Sequence, residues 1–138
     1  MEPRIRIRQL DGMRLLGTAR THSVVLDRPP EEGGTDVGFT SSEMLLLAIG
    51  SCATGSLRNF LEERGTPSQE LQADVFFEPT VPGARDRVVI ALQVPEAALA
   101  AGIDGLKEAI TSGGVTSRMK LGSEIDVRYS GMEPPCNP

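Results

Sequence analysis

Cys52 lies in a run of apolar and then small residues, Ser41-Ser-Glu-Met-Leu-Leu-Leu-Ala-Ile-Gly-Ser-Cys-Ala-Thr-Gly-Ser56, which follows the loop Gly33-Gly-Thr-Asp-Val-Gly38. As a thiolate, a cysteine is a nucleophile and can be oxidised. As a thiol it packs like a small apolar residue. The choice between a packed and a reactive Cys52 decides what the chain can do. A helix interior offers no strong dipole to ionise a thiol, so a reactive Cys52 calls for a neighbouring cation.

Glu43 is the carboxylate nearest to this run. Thr40-Ser-Ser-Glu43 matches a capping box, in which Thr and Glu satisfy each other's free backbone N–H groups. Nine residues separate Glu43 from Cys52. On a straight helix that is about 900° of rotation and ~13 Å of rise, so the two face opposite sides. A shared site needs either a break in the helix or a carboxylate from another subunit. The stretch Gly50-Ser-Cys-Ala-Thr-Gly-Ser56 weakens intrinsic helicity by up to ~1 kcal/mol per Gly. Close packing of a second backbone against that face would offset this loss.

Other candidates carry less chemistry. His22 is the one histidine and stands between two extended segments. Gly33-Gly34 and Gly38 do not have dinucleotide or P-loop spacing and serve turn geometry. Thr40-Ser41-Ser42 is cap chemistry without a paired base. Ser117-Arg118 either flanks the site or lies on the surface, and Met44 and Met119 are core candidates. Cys136 lies far from Cys52 in a Pro-rich tail, which argues against a structural disulfide. The chain has no metal-ligand spacing and no cofactor motif.

The elements that must position Cys52 follow from periodicity. Arg4 to Leu10 alternates like a half-buried strand, and Asp11-Gly12 suits a tight hairpin turn. Met13 to Ala19 and Thr21 to Leu26 complete a three-stranded meander. Arg28 to Thr40 is a loop. A helix of over twenty residues opens at Thr40 and stops at Gly65, with Pro67 beyond. Its residues Met44 to Ile49 are apolar nearly all round, which predicts burial on most sides. Strands near Leu71 to Glu78 and Arg87 to Val94 follow. Pro95 to Ile110 reads as a second helix, Gly113-Gly114 interrupts it, and Val115 to Leu121 forms a short helical turn. Ile125 to Tyr129 is a closing strand, and 131–138 a loose tail.

With 138 residues, the chain reads as one domain over 1–138. A net charge of -5 disfavours general binding to nucleic acid or anionic membrane. No segment reaches the roughly 18 apolar residues of a membrane span. The N-terminus lacks the apolar stretch of a signal peptide, which suggests a cytoplasmic protein.

Gly33-Gly34, Gly38, Ser42-Glu43-Met-Leu-Leu-Leu-Ala48 and Cys52 resemble the signature of the OsmC/Ohr superfamily (osmotically inducible protein C and organic hydroperoxide resistance protein). The order of strands and helices agrees over nearly the whole chain. The resemblance implies an α+β, two-layer fold built as an intertwined homodimer. It implies a thiol peroxidase in which Cys52 attacks organic hydroperoxides and becomes a sulfenic acid. A second cysteine would then form a disulfide with it, and a thiol or dithiol reductant would restore the enzyme. Glu43 matches the acidic residue at the start of the central helix; the organic-hydroperoxide branch would put that residue at Ser42.

The chain departs from this pattern in two places. The second cysteine opens a Cys-x-x-Ser-Arg motif in the family; here Ser117-Arg118 is kept and the cysteine's place falls on Gly114. The arginine that helps activate the thiolate would fall on Leu10, with Arg14 nearby. The expected function is a Cys52-dependent hydroperoxide reductase, impaired or served by an external thiol for want of the second cysteine. Two other readings stay open: a module binding a small apolar molecule at the dimer cleft, and a redox sensor modified at Cys52 without turnover.

Overall fold

The computed structural model describes residues 4–66 and 68–132. Cys136 and most of the expected tail lie outside the described residues. Strands β1 (Arg6–Asp11), β2 (Arg14–Ala19) and β3 (His22–Leu26) form the expected antiparallel meander in the order β1-β2-β3. Gly12 at the first turn has φ +50°, a left-handed conformation that glycine adopts without steric cost. β1 forms as anticipated, but it is exposed along its whole length rather than half-buried. Among the described residues nothing buries the apolar side of that strand.

Helix α1 (Ser41–Glu63) begins as the sequence implies. The Thr40 N–H donates to Glu43 Oε2 at 2.8 Å and the Glu43 N–H to Thr40 Oγ1 at 3.3 Å. Its end is closed by Gly65, with φ +66°. There the Gly65 N–H donates to Glu62 O and the Thr66 N–H to Leu61 O, the paired bonds of a Schellman stop. By length and composition α1 could cross a membrane. Here it packs against strand β4 (Gln72–Glu78) and helices α3 (Leu106–Thr111) and α4 (Gly114–Leu121).

The core forms on the second half of α1. Ala53, Leu57, Phe60 and Leu61 meet Ala98 of α2 (Glu96–Ala101) and Leu106 and Ile110 of α3. Ile90 and Leu92 of β5 (Arg87–Gln93) pack on this cluster. β4 and β5 pair antiparallel, from Gln72 opposite Gln93 to Glu78 opposite Arg87. No residue of the meander belongs to the cluster.

The run of small residues has two neighbours. A Cβ added at Gly50 would stand 2.9 Å from Val75 Cγ2, so glycine there lets β4 approach α1. Further along, the start of α4 lies against Cys52 and Ser56. The second backbone anticipated on this face is therefore supplied, at least in part, by the same chain.

Three expectations are corrected: first, Met44 to Ile49 is not buried on most sides, since Leu45 and Leu47 are exposed on α1 and only Ile49 of that stretch is buried. The second helix is not continuous over Pro95 to Ile110: Gly102 and Gly105 take φ +99° and +85°, and α2 and α3 are separate. Left-handed residues cannot extend a right-handed helix. The closing strand over Ile125 to Tyr129 is not formed among the described residues. Ile125 is 85% and Tyr129 91% exposed, and among the described residues neither sheet takes up that segment.

Candidate functional site

Cys52 is half-buried on α1, on the side covered by the start of α4. Its Sγ–H donates to the carbonyl of Gly113 at 3.7 Å. Gly113 is the residue before the first turn of α4, and it has no side chain with which to cap the helix. The leading N–H groups of a helix have no partner within it and carry partial positive charge. Those of Thr116 and Val115 face the sulfur.

The Cys52 thiol is accordingly held below its ordinary pKa. The Thr116 N–H contributes most, partial burial opposes it, and the Thr116 hydroxyl and the Val115 N–H add smaller effects. Sequence reasoning asked for a cation because α1 itself offers no dipole at its middle. The dipole comes from another helix, aimed across at the sulfur.

Thr116 sharpens this picture. It is 8% exposed, and its Oγ1 is buried with no hydrogen-bond partner among the described residues. It nonetheless stands within hydrogen-bonding reach of the sulfur once that sulfur is an anion. In the thiol form the proton points to Gly113 O and leaves the hydroxyl unused. On ionisation the sulfur becomes an acceptor, and the Thr116 O–H can donate to it. A buried polar group left unpaired costs free energy, of the order of 1–3 kcal/mol. Ionising Cys52 relieves that cost.

Gly114 also stands close to the sulfur. It is exposed, and a Cβ built there would lie 3.2 Å from Cys52 Sγ. This is where the expected second cysteine would have stood.

Glu43 is placed elsewhere. It is exposed, engaged in the capping box, and borders a groove of about 740 Å³ between α1 and β4. Leu47, Ser51 and Val75 also line that groove; Cys52 does not. Because α1 is unbroken from Ser41 to Glu63, one chain does not bring Glu43 and Cys52 together. Ser42 borders a different hollow beside Leu26, Asp27 and Thr40. Arg14 is paired with Asp11 across the hairpin, its Nε donating to Asp11 Oδ1 at 2.6 Å. Leu10 is partly exposed in β1, and His22 is exposed at the start of β3. Ser117 and Arg118 lie on α4 just beyond Thr116, Ser117 half-buried and Arg118 exposed.

A second anion went unnoticed in the sequence. Asp27 is 3% exposed and accepts from the N–H groups of Arg28, Thr35 and Val37 and from the Thr35 hydroxyl at 2.7 Å. Its pKa falls from 3.8 to about 2, chiefly through the Thr35 hydroxyl, with burial opposing and the three N–H groups adding. Asp27 thereby fastens the loop of residues 28–37. The glycines of that loop have a steric reason: a Cβ on Gly34 would collide with the Arg28 carbonyl, and one on Gly38 with that of Val25.

No family model matches the chain, and no curated protein matches it. Solved structures do. One is a protein from Psychrobacter arcticus 273-4, provisionally described as an osmotic stress induced and detoxification response protein. It superposes with a TM-score of 0.63 at 12% identity, covering 82% of this chain and 85% of that one. Another is an organic hydroperoxide resistance protein OsmC from Legionella pneumophila, with a TM-score of 0.57 at 12% identity over 87% of this chain and 90% of that one. Meander, long central helix, two-stranded sheet and trailing helices follow in the same order, and the chain shares the α+β fold of these two proteins.

Proposed function

We propose that the chain is a thiol-dependent reductase of organic hydroperoxides that works through Cys52. The observation that carries this reading is the half-exposed sulfur facing the unpaired N–H groups at the start of α4, with its pKa lowered. The likeness to the Legionella organic hydroperoxide resistance protein supports the same chemistry.

In this reaction the Cys52 thiolate attacks one oxygen of the O–O bond. The S–O bond forms as the O–O bond breaks, and the alkoxide leaves and takes up a proton to become an alcohol. Sulfur is oxidised to a sulfenic acid and the peroxide is reduced. A thiol then condenses with the sulfenic acid, releasing water. A second thiol frees Cys52 and leaves with the first as a disulfide.

In the proposal Glu43 acts from the partner subunit of a homodimer. Three features support such a dimer: the uncovered apolar side of β1, the exposed Leu47 on α1 and the fully exposed segment around Ile125 to Tyr129. Packing against a second copy would remove these apolar side chains from water. Light scattering at micromolar concentration should give the mass of two chains; a monomer there removes the role of Glu43.

The activity itself is tested by following tert-butyl hydroperoxide in the presence of dithiothreitol. The wild type should consume it and Cys52→Ser should not. Equal rates would remove the reductase reading. The groove between α1 and β4 favours a second reading, a binding module for a small apolar molecule, because Leu46, Leu71 and Val75 line it. A protein that binds such a molecule but spares the hydroperoxide would bear that out.

A further inference from the structure

Cys52 meets donors and a glycine at the start of α4. That glycine is Gly114, exposed, with φ +47° and no side chain. A Cβ built at this position stands 3.2 Å from Cys52 Sγ. In a disulfide, the carbon attached to one sulfur stands roughly 3 Å from the other sulfur. The vacant side-chain position of Gly114 is thus where the carbon of a second thiol would sit if its sulfur were bonded to Cys52.

A second feature points the same way. Thr116 is 8% exposed, yet its hydroxyl is unpartnered and within reach of the same sulfur. That hydroxyl favours Cys52 as a thiolate, both when it attacks and when it leaves. A good leaving thiolate makes any mixed disulfide at this sulfur short-lived in the presence of excess thiol.

We propose that Cys52 is a site of reversible mixed-disulfide formation with a low-molecular-weight monothiol, whose carbon occupies the gap that Gly114 leaves over Sγ. This names the reductant class of the proposed reductase and rests on that reading for its physiological oxidant. The site also operates without a peroxide. With hydroperoxide, the Cys52 sulfenic acid and the monothiol form the mixed disulfide and release water. With a disulfide alone, the Cys52 thiolate attacks one sulfur, the S–S bond breaks and the other half departs as thiolate. In both cases a second monothiol attacks the outer sulfur, and Cys52 leaves as the thiolate that Thr116 and α4 hold.

The test uses the full chain carrying Cys136→Ser, with 2-hydroxyethyl disulfide as the probe and intact mass as the readout. The parent chain should gain one mercaptoethanol unit on Cys52 and lose it again in excess mercaptoethanol. Gly114→Asn fills the gap with a residue that tolerates left-handed backbone, and should slow the adduct by about tenfold or more. If that variant does not fold, Gly114→Cys decides the matter. Under mild oxidation its introduced thiol should close a disulfide with Cys52, and the chain should take no adduct.

A parent chain that takes no adduct overturns the proposal. So does Gly114→Asn reacting at the parent rate, or Gly114→Cys keeping two reduced thiols. Because the probe contains no peroxide, these outcomes are independent of hydroperoxide consumption. A chain that forms the adduct yet spares tert-butyl hydroperoxide loses the reductase reading and keeps this site.

Discussion

Asp27 and Cys52 are held by the same kinds of donor and put to different use. Each faces backbone N–H groups together with one threonine hydroxyl, from the adjoining loop and Thr35 for Asp27 and from α4 and Thr116 for Cys52. Each has its pKa lowered by those donors against the opposing effect of burial. The difference lies in access. Asp27 is sealed and all its donors are engaged in the resting state. Cys52 is half-exposed beside a glycine, and its threonine has no partner until the sulfur ionises. The first arrangement fastens a loop. The second stores a donor for an anion that forms only on demand.

The largest effects should separate the two completely. Cys52→Ser should abolish tert-butyl hydroperoxide consumption and leave the melting temperature close to that of the wild type. Asp27→Ala should do the reverse to stability, lowering the melting temperature clearly, because the N–H groups of Thr35 and Val37 and the Thr35 hydroxyl lose their shared acceptor. If Cys52→Ser proved the more destabilising of the pair, the thiol would belong with the packing.

Next in size is the contribution of a second subunit. Glu43→Gln keeps the capping box, since Gln serves at that position as well as Glu. Mixed and refolded with Cys52→Ser, it should regain about a quarter of the wild-type rate, because a heterodimer holds one intact site in two. No recovery from two inactive chains would confine each site to one subunit.

A smaller effect compares the two threonines. Thr116→Val should raise the thiol pKa and slow alkylation of Cys52 at neutral pH several-fold to about tenfold, while Thr116→Ser should restore it. Thr35→Val should lower the melting temperature without touching the thiol. Smallest at neutral pH is the proton linkage of Asp27. Its folded pKa lies below the unfolded value, so its contribution is fully present above 3.8 and lost as pH falls through about 2. The melting-temperature gap between wild type and Asp27→Asn should narrow across that window. A gap that persists below pH 2 would assign the difference to packing.

Much of the scaffold was legible because its signals are local. The capping box at Thr40 and Glu43, the stop at Gly65 and the hairpin at Gly12 each lie within a few residues of what they control. The break between α2 and α3 is equally local: Gly102-Ile-Asp-Gly105 punctuates the Ala-rich run, although helical periodicity reads straight across it. Ile125, Val127 and Tyr129 alternate as a strand should, but alternation does not say which edge receives it, and neither sheet among the described residues does. The site was half legible. Cys52 and the vacancy at Gly114 could be read from the run of small residues and the preserved Ser117-Arg118. Thr116 could not, because 64 residues of chain separate it from the sulfur and only the packing of α4 on α1 joins them. Asp27 carried a weak signal as an acid at the mouth of a loop rich in Pro and Gly, a segment that must be fastened by something.

The central claim is that the start of α4 holds Cys52 ready to ionise. The rate of alkylation by iodoacetamide against pH, measured on the full chain carrying Cys136→Ser, tests it most directly. The account predicts a midpoint below the ~8.5 of an unperturbed cysteine, and a higher one in Thr116→Val. A midpoint at or above that of an unperturbed cysteine, unmoved by Thr116→Val, would contradict it.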